Sequence, residues 1–176
     1  ITDIACVTLQ NGEIVSSFSS LVNPHQFIPP YIVNMTGITN EMAFNAPEPE
    51  IVMPKAHNRV FSEGAVFVAH NVNFDWTFVS NSFKREMLGV DEDHPRLCTL
   101  KLARRLLPKN IKKNVGALAA YFGIKIKNRH RALGDAEATA IILSELCEIA
   151  EAEHGITTLE DLLAFQNKPI KNFKSL

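Results

Sequence analysis

The sequence predicts an α/β layer fold with a mixed sheet flanked by helices, and three observations carry that prediction. Two β-branched, apolar stretches, residues 1–9 and 13–22, flank Asn11-Gly12, a dipeptide that favours a two-residue hairpin turn. The run AVFVAH at 65–70 is short and continuously apolar, as in a buried central strand. Helical periodicity then dominates the rest of the chain.

The elements follow in order. ITDIACVTL reads as a first strand and the segment from Glu13 to Val22 as its antiparallel partner. NPHQFIPPYI, stiffened by Pro24, Pro29 and Pro30, reads as a loop, and Thr39 at the end of MTGIT as a helix N-cap. A helix is expected over roughly 50–62, where Pro54 fits only inside the first turn. After AVFVAH, Asn73 is positioned to cap a helix whose inward face runs through Phe74, Phe78, Val79, Phe83 and Met87. Short helices are expected at 97–107 and at 114–123, the second closed by Gly123. A long one covers 133–153, with Ala138, Ile141, Ile142, Leu146 and Ile149 inward and Gly155 ending it. The tail GITTLEDLLAFQNKPIKNFKSL reads as one further helix, packed back on its own domain, with a basic end. The expected division is a domain over 1–153 and an extension or linker over 154–176.

Composition narrows the function classes. The 176 residues are 46% hydrophobic, enough for one domain with a full core. Cys6, Cys98 and Cys147 are far apart and form no CxxC pair, so a zinc ribbon or disulfide framework is unsupported. No run of 18 apolar residues and no signal pattern occurs; the chain is expected to be soluble and cytoplasmic, without a membrane partner. Net charge is only −1, but its distribution is uneven. Residues 94–134 hold no Asp or Glu and 11 of the 18 basic residues, ending with Arg129 and Arg131 on either side of His130. Such a stretch is either a solvated face or a surface that neutralises phosphates; Arg129 and Arg131 are its candidate substrate contacts.

The chemistry-bearing residues gather at element ends. AHNVNFD at 69–75 puts Asp75 just past the carboxyl end of the buried strand, where sites of open α/β sheets collect. In HRALGDAEATA, His130 precedes Asp135 by five residues. On one continuous helix the two would point about 140° apart. They converge only if His130 lies in the loop before the helix. Two carboxylates so placed can share divalent cations, and a neutral imidazole can take a proton from bound water. His70 and Asn71 read first as satisfied turn residues and second as substrate contacts. Phe74 reads first as core packing, and only a family resemblance implies a place for it in a substrate pocket.

These motifs, with LVNP and TGIT upstream of them, resemble those of the DnaQ-like (DEDDh) 3′→5′ exonucleases. The resemblance is greater to the epsilon-subunit and PolC-type proofreading domains of bacterial DNA polymerase III. It covers about residues 1–150 and implies an RNase H-like fold, two Mg²⁺ or Mn²⁺ ions, and release of nucleoside 5′-monophosphates from a 3′ end. By the same resemblance Asp75 and Asp135 are metal ligands and His130 the general base. Thr36, Gly37 and Ile38 match the segment that packs on the terminal nucleotide. The implied partners are single-stranded or frayed 3′ ends of DNA, with RNA left open, and a polymerase subunit. In the complete domain one ion would activate water and the other stabilise the leaving 3′-oxygen, and the His130 imidazole would accept the water's proton.

One part of the pattern has no counterpart in residues 1–176. The family carries an Asp-x-Glu pair on its first strand, whereas ITDIACV matches the following strand, with Asp3 at a neighbouring acidic position rather than at a ligand. Without the first strand the sheet is expected to split and expose two unpaired edges. Upstream residues of the natural protein are the expected source. A strand from another segment and a non-catalytic nucleic-acid-binding or polymerase-docking module are the alternatives.

Overall fold

The computed structural model describes residues 1–127 and 129–170. The chain opens with a hairpin, β1 (Asp3–Gln10) and β2 (Glu13–Leu21), paired antiparallel with a register shift at Thr8/Leu9. Asn11 and Gly12 turn it with φ of 51° and 80°, the left-handed pair that a tight hairpin turn demands. Three helices follow: α1 (Pro30–Thr36), α2 (Asn40–Phe44) and α3 (Pro49–Val60). Then come β3 (Phe67–Ala69), α4 (Val72–Arg85), β4 (Arg96–Cys98) and α5 (Thr99–Leu106). The order closes with α6 (Val115–Tyr121), α7 (Ala132–His154) and α8 (Leu159–Phe165).

The expected α/β architecture with antiparallel and parallel pairing is present, in two pieces. Among the described residues β1 pairs only with β2, and β3 only with β4, in parallel. Helices cover two sides. Ile4, Val22, Val52, Met53, Trp76 and Phe83 form one core under α3 and α4. Leu102, Leu118, Ile142, Leu146, Leu162 and Phe165 form another among α5, α6, α7 and α8. No helix among the described residues is long and apolar enough to cross a membrane.

Local capping follows the sequence where side chains reach backbone. Thr39 accepts from Met42 N at 3.1 Å and Asn114 from Ala117 N at 2.9 Å, and Gly155 ends α7 in the left-handed conformation. Several elements differ from expectation. Pro30 starts a helix inside the supposed loop, because proline is well suited to a first helical turn. Pro54 lies beyond the first turn of α3, whose N-terminus starts at Pro49. Cap residue 71, not Asn73, precedes α4. The helix buries Val72, Trp76, Ser80 and Phe83, while Met87 is 93% exposed. Trp76 sets this rotation by stacking on His94 and lying under the Arg96 guanidinium. In α7 Ile141 is 38% exposed, and Leu143 and Ala150 take inward places instead.

Residues 96–98 form a strand where a helix start was expected, and the tail explains how so short a strand is held. The Gln166 side chain accepts from Cys98 N at 2.9 Å and donates to Arg96 O at 2.8 Å, so one amide serves the strand's backbone. Gln166 is buried, and Leu162 and Phe165 anchor α8 in the core beside it. The basic end of the tail, Lys171 and Lys174, lies outside the described residues. Gln166→Leu is expected to destabilise the protein by about 1–3 kcal/mol, because it leaves the buried Cys98 N–H and the partly buried Arg96 C=O without this partner. Urea unfolding checks this, and a change below about 0.5 kcal/mol would show that water replaces the amide.

Candidate active site

Three stretches of chain meet around one cleft of about 1120 Å³. Its lining includes β1 residues, the run 65–70, Phe74, Asp75 and Phe78 of α4, and Arg129, His130 and Asp135 at the start of α7. Asp75 and Asp135 each stand in the first turn of a helix, where exposed backbone N–H groups favour a negative side chain. His130 lies before α7 with φ of 66°, in the turn position its spacing to Asp135 requires. The two acids and the imidazole thus border a common space although 60 residues separate Asp75 from Asp135.

The start of α7 is braced from β1. Asp3 Oδ2 accepts from Arg131 Nε at 2.9 Å and from Ala132 N at 3.0 Å. A carboxylate from a distant strand therefore serves the helix end that lacks a cap of its own. Asp3, an acidic position noted in the sequence without a role, thus positions the start of α7; its partner was not visible in the sequence. The same bond gives Arg131 an internal role in place of a free phosphate contact. Arg129 remains exposed at the cleft, its guanidinium over Gly116 of α6.

His70 ends the β3 run and lines the cleft, with Nδ1 2.9 Å from Oγ1 of Thr99, the first residue of α5. Asn71 takes φ of 74° at the turn into α4, a conformation asparagine tolerates, and is exposed outside the cleft lining. Phe74 overturns the core reading: it is 60% exposed, and with Phe78, 4.8 Å away between ring centroids, it forms an aromatic pair on the cleft wall. The rotation of α4 set by Trp76 turns both rings outward. Thr36, Gly37 and Ile38 are outside the cleft lining. Ile38 is buried with Ile28 and Ala43, Gly37 ends α1 with φ of 72°, and Thr36 Oγ1 donates to Ile32 O and accepts from Ile38 N.

Burial raises the Asp75 carboxyl above its ordinary range, partly offset by its own backbone N–H. Burial lowers the His70 imidazole below its ordinary value; a backbone bond to Lys113 opposes this, and Arg104 adds to it. The unfolded chain, with an unperturbed imidazole near about 6.5, then binds more protons than the folded one as pH falls through that value. Stability is therefore expected to be level above about pH 7 and to fall on acidification below about 6.5, and His70→Gln should lessen the slope. Urea unfolding across this range tests it; an unchanged slope in the variant would assign the loss to other groups, such as the buried His94.

Comparison with known proteins adds to this geometry. The profile of the RNase_T family, described as exonuclease, matches residues 1–143. The DNA polymerase III epsilon subunit of Aquifex aeolicus is 37% identical over 156 residues, covering 89% of this chain and 76% of that protein. A PolC-type DNA polymerase III from Caldanaerobacter subterraneus subsp. tengcongensis is 37% identical over 162 residues, 92% of this chain. The chain spans only 11% of that polymerase and 25% of a similar Mycobacterium tuberculosis protein. Among solved structures, Exonuclease X in complex with 5′ overhanging duplex DNA superimposes with a TM-score of 0.67 at 31% identity, over 95% of this chain and 91% of that one. Exonuclease I of E. coli with a dT13 oligonucleotide shares the fold, with a TM-score of 0.76 at 18% identity, over 88% of this chain and 38% of that one.

Proposed function

Because this chain belongs to the RNase_T exonuclease family, we propose that it is a DNA 3′→5′ exonuclease domain serving proofreading or repair beside DNA polymerase III. The fold is accordingly RNase H-like. The observation that carries the proposal is the convergence of Asp75, His130 and Asp135 on one cleft. In the proposed reaction His130 takes the proton of the attacking water. The water oxygen bonds to phosphorus, the P–O3′ bond breaks, and the terminal nucleoside 5′-monophosphate departs while the proton passes to the leaving oxygen. A frayed end is favoured over a paired one, because extruding a terminal base costs less when it is already unpaired. Phe74 and Phe78 offer faces on which such a base can stack.

The family normally uses divalent cations. Among the described residues, no group of three or more His, Cys, Asp or Glu side chains is placed to hold a metal ion. Asp75 and Asp135 supply two carboxylates, which with water and a substrate phosphate could hold a Mg²⁺ or Mn²⁺ ion. The second reading is a DNA-binding module that does not cut.

A strand-release assay on the natural polypeptide with Mn²⁺ separates the two. A 3′-labelled single strand should release labelled mononucleotide at once, while a 5′-labelled strand shortens stepwise. Intact DNA of both kinds supports the non-cutting module, and early release of the 5′ label reverses the polarity. Arg104, Lys109, Lys112, Lys125, Lys127 and Arg129 are exposed, so DNA affinity should also fall with salt. Three phosphate contacts would cost on the order of tenfold between about 50 and 200 mM. A flat response would leave the basic stretch as a solvated face.

A further inference from the structure

Three consecutive residues stitch the tail to β4 and α5. Gln166 holds Cys98 N and Arg96 O, Asn167 Oδ1 accepts from Lys101 Nζ at 2.9 Å, and Lys168 O accepts from Arg105 Nε at 2.9 Å. Of the three only Gln166 is buried, and only its side chain serves the backbone of a strand. On its inner edge β4 meets β3, where Phe67 N donates to Pro95 O at 2.9 Å. Successive residues of a strand turn their backbone groups to opposite sides, so Arg96 and Cys98 face away from β3. Gln166 therefore stands where the backbone of a further strand would stand, giving one donor and one acceptor. A strand of three residues is short even for an edge, and this amide is what holds its outer side.

Both ends of β4 lead to the cleft. Ala69↔Cys98 is the last pair of the parallel register, so His70 and Thr99 follow it side by side. Their side chains meet there, Nδ1 to Oγ1, with Thr99 fully buried and His70 on the cleft. At the other end the Arg96 guanidinium lies 5.0 Å over the ring of Trp76, the neighbour of Asp75 in α4. Thr99 and Trp76 are buried and close-packed, so a displacement of β4 passes to both instead of being absorbed. Gln166 and Thr99 themselves are outside the cleft lining.

We propose that Gln166 is a positioning residue of the site: by fixing the outer edge of β4 it sets how His70 and Asp75 face the cleft. The C-terminal helix α8, which lies beyond the residues 1–143 of the family match, thereby becomes part of the machinery. The effect on rate rests on the exonuclease reading, whereas the setting of His70 does not.

The test uses the natural polypeptide with Gln166→Leu, Thr99→Val and the pair. Carbethoxylation of His70 by diethyl pyrocarbonate, read by mass spectrometry against the exposed His25, follows the ring independently of activity. Each single substitution should raise the His70 rate about 5-fold or more, and the pair should raise it no further. On a labelled single strand kcat should fall about 10-fold in each variant, with KM changed by less than about 2-fold, and the pair should lose no more than the larger single loss. Where the leucine variant does not fold, Gln166→Asn, which withdraws the amide by one methylene, takes its place. An unchanged His70 rate in the folded variant overturns the proposal and leaves Gln166 with stability alone. So does an unchanged kcat in an active enzyme. Losses that multiply in the pair to about 100-fold overturn it as well, since independent effects combine that way. Should the unaltered polypeptide release no nucleotide, the exonuclease reading fails and the His70 rates alone decide.

Discussion

Replacing His130 by alanine in the natural polypeptide is expected to lower nucleotide release by about 10²–10⁴-fold, the range for loss of a positioned general base. The fold should survive, because His130 occupies a turn at φ of 66° and is exposed, outside the buried core. His130→Asn is the stricter test: asparagine tolerates the left-handed backbone and cannot take a proton from water at neutral pH. Equal losses in both variants assign the effect to the imidazole. A loss in alanine alone assigns it to the backbone turn, and a full rate in both removes His130 from the reaction. DNA affinity should change little, since the exposed basic side chains remain. If affinity falls in parallel with rate, His130 is a contact rather than a base.

Phe83→Ala is expected to have the largest effect on stability, about 3–5 kcal/mol. The ring is 0% exposed, edge-on to His57 at 5.1 Å and near Phe61 at 6.1 Å. It joins α3 to α4 beneath the hairpin, so its loss leaves a cavity where two helices and a strand meet. Such a loss is a large part of the roughly 5–15 kcal/mol that holds a typical domain folded. Thermal unfolding should shift down by about 6–20 °C. Phe83 does not line the cleft, so activity per folded molecule below the transition should be retained. A cost under about 1 kcal/mol would mean that α4 collapses into the space.

Much of this protein was legible without coordinates. Alternation and Asn11-Gly12 specify the hairpin, since strand period and turn conformation are properties of neighbouring residues. Thr39 and Gly155 mark helix ends for the same local reason. The loop position of His130 followed from helical geometry once His130 and Asp135 were required to converge.

What only the tertiary structure decided involves partners far apart along the chain. Which face of α4 turns inward depended on Trp76 meeting His94 and Arg96, and that choice put Phe74 and Phe78 on the cleft wall. The three-residue strand β4 depended on Gln166, 68 residues beyond Cys98, and the set of the His130 turn depended on Asp3 reaching Arg131. Periodicity reports that a side chain is apolar or that a turn is favoured, because these are local free energies. It does not report which distant group satisfies a buried amide or carboxylate, because that pairing exists only once the chain has folded.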